Sequence, residues 1–156
     1  MKYTEQTLVK DEKLTLMAKW HWMIWGIPIL LLAIAIFFLA MTAMDNAFSG
    51  MASLLAALFG IWGFLVLLRT FIWVKTNEAA VTTKRVVLKT GVISRSTFEL
   101  NLQKVESVQI DQDILGRMFN YGSVTVLGTG RASRKVGFIS DPLSFRAKAL
   151  AGMDEK

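Results

Sequence analysis

The sequence predicts a membrane hairpin of two α-helices joined to a small, mainly β-stranded domain that ends in an α-helix. Hydrophobic residues make up 53% of the 156 residues, and between Trp22 and Leu68 the only ionisable side chain is Asp45. Beyond that block, Lys75–Lys156 carries 13 basic and 8 acidic residues and alternates apolar with polar positions, as half-buried strands do. The chain is therefore divided into an N-terminal cytoplasmic segment, a hairpin, a β-domain and a tail, at residues 1–21, 22–74, 75–150 and 151–156.

Two apolar runs predict the hairpin. The first, Trp22 to Met44, would be roughly 34 Å long as a helix, enough to cross a hydrocarbon core about 30 Å thick. After a short polar turn the second run begins at Met51 and can continue to Val74, so the two helices are antiparallel neighbours. Small residues recur at helical spacing on both runs, and we expect them to pack the hairpin against itself rather than against another subunit. They are Gly26, Ala33, Ala40, Ala52, Ala56 and Gly60.

Basic residues flank the outer ends of the hairpin and are absent from its turn. They are Lys2, Lys10, Lys13 and Lys19 before it, and Arg69, Lys75, Lys84, Arg85 and Lys89 after it. By the positive-inside rule both termini are predicted to be cytoplasmic, in a multi-pass protein of the plasma membrane. A cleaved signal peptide is less favoured, because acidic residues precede the first run and a second run follows it. His21, the only histidine, lies between two tryptophans and is expected to be an interfacial anchor.

Six or seven short antiparallel strands are predicted in the β-domain. They include Glu78–Thr82, Arg85–Lys89, Phe98–Leu102, Val105–Ile110, Gly122–Leu127 and Val136–Ile139, with one helical turn at Leu115–Asn120. Asp141 followed by Pro142 is typical of a helix N-cap and first turn, so the C-terminal helix is expected to begin there. A curled sheet or barrel closed by this helix is the expected fold.

The stretch LGTGRASRK, Leu127–Lys135, has the glycine-rich look of a phosphate-binding loop. It lacks the Lys-Ser/Thr pair of a Walker loop and the third glycine of a dinucleotide loop. We therefore expect a hairpin loop in which Gly128 and Gly130 supply positive φ. Its cations either form a solvated face or contact anionic lipid or a partner. The candidate contact residues are Lys84, Arg95, Arg117, Arg131, Arg134 and Lys135.

The sequence favours neither catalysis nor metal binding. Asp111 and Asp113 are paired carboxylates with Glu106 upstream, but without a nearby histidine they are expected to decorate a strand end. The chain has no cysteine for a disulfide or a thiolate metal site. Nucleic-acid binding is not expected either, because the few aromatic residues of the β-domain are mostly assigned to its core. We expect a non-enzymatic protein without a cofactor.

Seven short motifs together resemble the bacterial pleckstrin-homology-like (PH-like) domain family, as found in YdbS-like membrane proteins. They are Thr83-Lys84-Arg85, Gly91-x-x-Ser94-Arg95, Leu102-x-Lys104-Val105-Glu106-Ser107-Val108, Gly116-Arg117, Tyr121-Gly122, Gly128-Thr129-Gly130 and Asp141-Pro142-x-x-Phe145. The resemblance covers nearly all of residues 76–150. It implies a PH-like β-barrel with a C-terminal helix beneath a two-helix anchor in the bacterial inner membrane, and it does not imply a reaction. The chain departs from the family pattern after Gly130, where it has Arg131, Arg134 and Lys135.

Two functions are compatible with this interpretation. The first is a membrane-anchored interaction or scaffold module that presents its PH-like domain at the cytoplasmic face, where strand edges offer main-chain pairing to an extended segment. The second is an accessory or structural subunit of a membrane complex, assembled through the transmembrane helices, with the basic loop on anionic lipid. The expected partners are the lipid bilayer, a protein partner or a second copy, and anionic headgroups.

Overall fold

The structure is a computed structural model that describes residues 3–43, 48–91 and 96–154. Within these ranges the chain forms five α-helices and seven β-strands. The helices are α1 (Tyr3–Gln6), α2 (Gly26–Thr42), α3 (Ser49–Thr76), α4 (Ile114–Phe119) and α5 (Pro142–Asp154). The strands are β1 (Leu14–Met17), β2 (Glu78–Thr82), β3 (Arg85–Thr90), β4 (Ser96–Asn101), β5 (Val105–Asp111), β6 (Tyr121–Gly128) and β7 (Ser133–Ser140).

The chain folds into two compact units. The domain consists of residues 1–21 and 76–156, whereas the helical unit consists of residues 22–75. The helical unit is therefore inserted in the chain between β1 and β2 of the domain. The predicted β-domain spans residues 75–150, with residues 1–21 as a separate segment. The structure adds α1 and β1 from that segment to the domain.

The domain contains two antiparallel sheets, with strand orders β1-β2-β3-β4 and β5-β6-β7. The predicted strands are present, and β7 is longer than expected because its first residues continue the ladder with β6, where Ser133 pairs with Leu127. The segment after β1 contacts both sheets. The N–H of Ala18 donates to the carbonyl of Ala79 (2.8 Å), and the N–H of Ser140 donates to the carbonyl of Lys19 (2.9 Å). Complete closure into a barrel stays a prediction.

The core of the domain lies between the two sheets and α5. Val124 of β6 is fully buried between the polar positions Ser123 and Thr125, as alternation predicts, and Val86 and Leu88 of β3 are also fully buried in this core. Ala80 and Val87 lie outside this core cluster and are nevertheless fully buried. Because α1 contacts β2, the N-terminal segment covers the outer side of the first sheet.

Helix α5 begins as predicted, because an Asp141 carboxylate oxygen accepts the N–H of Ser144 at 3.3 Å. Phe145 and Ala149, four residues apart on one face, are fully buried against the sheets. The helix continues to Asp154, through much of the predicted tail at 151–156. Its most extensive contact with a strand is with β5.

In the helical unit, α2 and α3 are antiparallel neighbours. A Cβ atom added at Gly63 would lie 3.0 Å from Leu32, and one at Gly60 would lie 3.8 Å from the Cβ of Ala35. Ala33 and Ala40 are exposed, so the predicted small-residue face of the first helix is wrong as a hairpin contact. The helical repeat explains this, because Ala33 lies roughly 200° around the helix from Ala35. A 3₁₀ turn, Trp22–Trp25, directly precedes α2, and together they form a helical span, Trp22–Thr42. This span and α3 (Ser49–Thr76) are each long and apolar enough to cross a membrane.

Candidate functional site

Strand β5 forms one edge of its sheet, with β6 as its neighbour in the ladder. Beside it lies a groove of about 640 Å³, which we call the β5 groove. It is lined by residues 107–112 of β5 and the segment after it, by Arg117 of α4, and by Leu143 and Arg146 of α5. An edge strand presents unpaired N–H and C=O groups, so this groove can offer main-chain hydrogen bonds to an extended segment.

Helix α4 holds Arg117 at the groove and is fixed at both ends. An Asp113 carboxylate oxygen accepts the N–H of Gly116 at 2.6 Å, which caps the first turn. Asn120 ends the helix in the left-handed conformation, with φ 54°. The side-chain amide of Gln112 donates to the carbonyls of Tyr121 (2.9 Å) and Gly116 (3.2 Å). These bonds give a short helix a defined position beside β5.

The groove carries two exposed guanidinium groups, those of Arg117 and Arg146. Within the described residues neither forms an ion pair. The groove's carboxylate, Asp111, is bound by the ammonium group of Lys135 at 2.7 Å. The hydrogen bond and positive charge of Lys135 hold the pKa of Asp111 below its usual range. The arrangement therefore suits an extended segment that carries a carboxylate or another anionic group.

The predicted contact residues do not form one patch. Arg117 lines the β5 groove, and Lys135 approaches it through Asp111. Lys84, in the turn between β2 and β3, donates to the carbonyl of Lys10 at 2.8 Å. Arg134 is half-buried and donates to the hydroxyl of Ser96 at 2.5 Å. Arg95 and the side chain of Arg131 lie outside the described residues.

Arg134 and Lys135 point to opposite sides of β7, as adjacent residues of a strand do. Arg134 pairs with Val126, a core residue, whereas Lys135 pairs with Thr125 and is exposed. The loop before them contains both predicted glycines. Gly130 has φ 76°, as expected. Gly128 has φ −123°, so the expectation of positive φ is wrong there. A Cβ at Gly128 would lie 2.5 Å from Leu100, so that glycine is explained by close packing.

A buried cluster surrounds Glu12, a residue that is 7% exposed and is not among the predicted site residues. The Glu12 carboxylate accepts from the Val9 N–H (2.8 Å), the Thr82 hydroxyl (2.7 Å) and Arg85 Nε (2.9 Å). Arg85 also binds Glu99 at 2.6 Å. Burial alone would raise the pKa of Glu12, but the hydrogen bonds from Val9, Thr82 and Arg85 and the charge of Arg85 hold it below its ordinary value of 4.5. The cluster fastens the N-terminal segment to the first sheet.

Three rings stack where the N-terminal segment meets β6 and β7. The ring centroid of Tyr121 lies 5.0 Å from that of His21 and 6.0 Å from that of Phe138. Phe138 has φ 57° in a bulge of β7 opposite Ser123. Burial, then the charge and hydrogen bond of Asp113, raise the pKa of Tyr121. His21 was expected to anchor the chain at a membrane interface, and the structure gives it a packing role within the domain.

The paired carboxylates have separate partners. Asp111 binds Lys135, and Asp113 caps α4. Across the described ranges there is no group of three or more His, Cys, Asp or Glu side chains that could hold a metal ion. The structure therefore supplies structural roles for both aspartates.

One family model matches the chain. It is that of the bacterial PH domain, and it matches residues 20–150, well over half of the 156 residues. No curated protein and no solved structure matches the chain. The two antiparallel sheets followed by a C-terminal helix fit this family's fold.

Proposed function

We propose, since the chain belongs to the bacterial PH domain family, that it is a non-enzymatic binding module anchored in the bacterial inner membrane. The hairpin α2–α3 is the anchor, and the domain is presented at the cytoplasmic face. The β5 groove is the binding site, and its ligand is an extended segment of a protein partner. The observation that carries this assignment is an edge strand with a groove beside it.

The two apolar helices support the membrane anchor. Each is long enough to cross a bilayer, and large apolar side chains such as Leu54, Ile61 and Phe64 are mostly exposed on α3. In water such a surface would be unfavourable, whereas in lipid it is solvated by the acyl chains. The basic residues that flank the hairpin favour cytoplasmic termini by the positive-inside rule.

The β5 groove supports binding of an extended segment for two reasons. Main-chain groups along the open edge of β5 can extend the sheet by one strand. Arg117 and Arg146 lack ion-pair partners among the described residues, and each can bind a carboxylate of the incoming segment through two N–H groups. The proposal therefore names an extended segment with acidic side chains or a free carboxylate as the ligand.

Photo-crosslinking of the full-length chain in native membranes tests this assignment. A benzophenone amino acid would replace Gln109, an exposed residue of β5. The matched control places it at Thr97, an exposed residue of β4, which is the edge of the other sheet. We expect a defined protein adduct from position 109 and none from position 97. We also expect the adduct to be lost when Arg117→Glu and Arg146→Glu are introduced together.

Two results would overturn the β5 groove as the binding site. One is equal adducts from positions 109 and 97, which would indicate random collision. The other is an adduct at 109 that persists in the doubly charge-reversed variant, which would remove the role of the two arginines. An adduct with the mass of two copies would assign the groove to self-association.

The helical unit supports a second candidate function, a subunit that joins a membrane complex through its helices. Ala33 and Ala40 form an exposed small-residue face on α2, and Trp62 is exposed on α3. Small residues at such spacing allow close helix packing in a membrane. Replacing the hairpin by an unrelated one separates the two functions. Loss of the partner would favour the helices, whereas its retention would favour the domain.

A further inference from the structure

Helix α4 presents a cluster of large apolar side chains that the β5 groove does not use. We call this cluster the α4 patch. Ile114 is 80% exposed and Met118 is 70% exposed, and Leu115 and Phe119 are also exposed. Four such residues on a six-residue helix form a concentrated apolar surface on an otherwise charged domain.

The exposure of the α4 patch is built into the fold. Gly116 is buried, and a Cβ there would lie 2.6 Å from the Tyr121 carbonyl, so this side of α4 packs tightly on the start of β6. The cap from Asp113 and the amide bonds of Gln112 hold the same side. With one side fixed in this way, the residues on the opposite side of the helix are held outward.

The ionisable groups next to the α4 patch are Arg117, the Asp111–Lys135 ion pair and Asp113, which caps the helix. Arg117 lies on the same helix, is exposed, and forms no ion pair within the described part of the chain. Asp111 is paired with Lys135, whereas Asp113 accepts the Gly116 N–H and has no cationic partner among the described residues. An apolar surface beside an arginine complements an anionic lipid interface, where apolar side chains enter the acyl boundary and nearby positive charge is attracted to the headgroups.

The short chain connections between the helical unit and the domain also favour a lipid surface as the binding partner of the α4 patch. Helix α3 ends at Thr76 and β2 begins at Glu78, so a single residue connects them, and His21, directly before the helical unit, is bonded through its N–H to the carbonyl of Phe138 in the domain. If the hairpin spans a bilayer, the domain is held at that bilayer's interface at both connections. The local concentration of lipid around the domain then exceeds that of any soluble partner.

We infer that the α4 patch inserts into the interfacial region of the bilayer that the hairpin spans. This inference rests on the proposed membrane anchor and adds a second, peripheral lipid contact to it. The contact would hold the domain in one orientation on the membrane.

Nitroxide labelling of the full-length chain in lipid nanodiscs tests the inference, and the absence of native cysteine makes single labels straightforward. The nanodiscs would contain zwitterionic and anionic phospholipids. Labels would be placed in separate variants, Met118→Cys and Ile114→Cys in the α4 patch, Ser133→Cys as an exposed control in the domain, and Ile36→Cys as an exposed control on α2. The readout is spin relaxation by oxygen, which partitions into lipid, against a water-soluble nickel chelate.

We expect oxygen to cause most of the spin relaxation at positions 118, 114 and 36, and the nickel chelate to cause most of it at position 133. If the labels at positions 118 and 114 are relaxed mainly by the nickel chelate, as expected for position 133, while the label at position 36 is relaxed mainly by oxygen, the inference is overturned and the proposed anchor stands. Protection of 118 from both reagents would also overturn it, and would indicate that a second copy covers the patch. If 36 reports water, the membrane anchor itself fails and the inference fails with it.

Discussion

Glu12 and Arg85 are 73 residues apart, yet they form the most elaborate polar contact among the described residues of the domain. Each residue alone looks like an ordinary surface charge in the sequence. Their pairing depends on β1 lying next to β2, although the inserted hairpin separates these two strands in the chain. The periodicity of the sequence cannot reveal such a contact, because the contact forms only when the chain adopts its tertiary structure. A buried carboxylate of this kind stabilises the fold only while its partners remain.

Replacing Glu12 tests this cluster. We expect Glu12→Gln to lower the free energy of unfolding by about 3 kcal/mol, because it removes the more buried of the two carboxylates that bind Arg85. The matched control is Glu99→Gln, which removes the more exposed partner of the same arginine and should cost about 1 kcal/mol or less. Urea denaturation of the full-length chain in mild detergent, followed by circular dichroism, measures both. Equal losses would contradict a special role for Glu12.

The same carboxylate predicts an acid-dependent loss of stability. The pKa of Glu12 is lowered in the fold, so its stabilising effect is complete above the ordinary value of 4.5 and is lost as the pH falls through the lowered value. We expect the difference in melting temperature between the native chain and Glu12→Gln to be constant near neutral pH. Below about pH 4.5 it should shrink. A difference that stays constant or grows down to pH 3 would contradict the assignment.

At the scale of elements, strands such as β4 and β6 are predictable because their apolar and polar residues alternate with a period of two. The C-terminal helix is predictable from Asp141 and Pro142, which give a cap and a first turn. Strand β1 is not predictable in this way, since Leu14–Met17 is short and precedes the apolar runs. The β5 groove depends on strand order and on α5, and of the predicted contact residues whose side chains the structure describes, only Arg117 lines it.

The packing of α2 against α3 gives a prediction for the helical unit. The Cβ that a substitution at Gly60 adds would lie 3.8 Å from the Cβ of Ala35, which is within the range for a disulfide. We expect Ala35→Cys with Gly60→Cys to form an intramolecular disulfide on mild oxidation in membranes. The control pair, Ala33→Cys with Gly60→Cys, should not, because Ala33 is exposed. Intact-mass measurement after thiol alkylation distinguishes the two. Formation of a disulfide by the control pair alone would contradict the observed packing.

At the scale of the whole molecule, the insertion of the hairpin between β1 and β2 decides which part of the chain can fold alone. The hydrogen bond from Ala18 to Ala79 brings the two connections close together, because each lies only three residues beyond that bond. We expect a variant with residues 22–75 replaced by a short Gly-Ser linker to fold as a soluble domain. A chain that begins at residue 76 lacks β1 and Glu12 and should not fold. Dispersion in amide NMR spectra measures both, and a folded 76–156 fragment would contradict the account.

The membrane-anchored arrangement is the central claim, and labelling in bacterial cells tests it most directly. Ser49→Cys at the start of α3 and Ser133→Cys in the domain would be expressed separately in the full-length chain, which has no native cysteine. Cells with a permeabilised outer membrane would be treated with a membrane-impermeant maleimide. The account predicts labelling at position 49 in intact cells, and at 133 only after the inner membrane is opened. Labelling of 133 in intact cells, or of neither position until the inner membrane is opened, would contradict it.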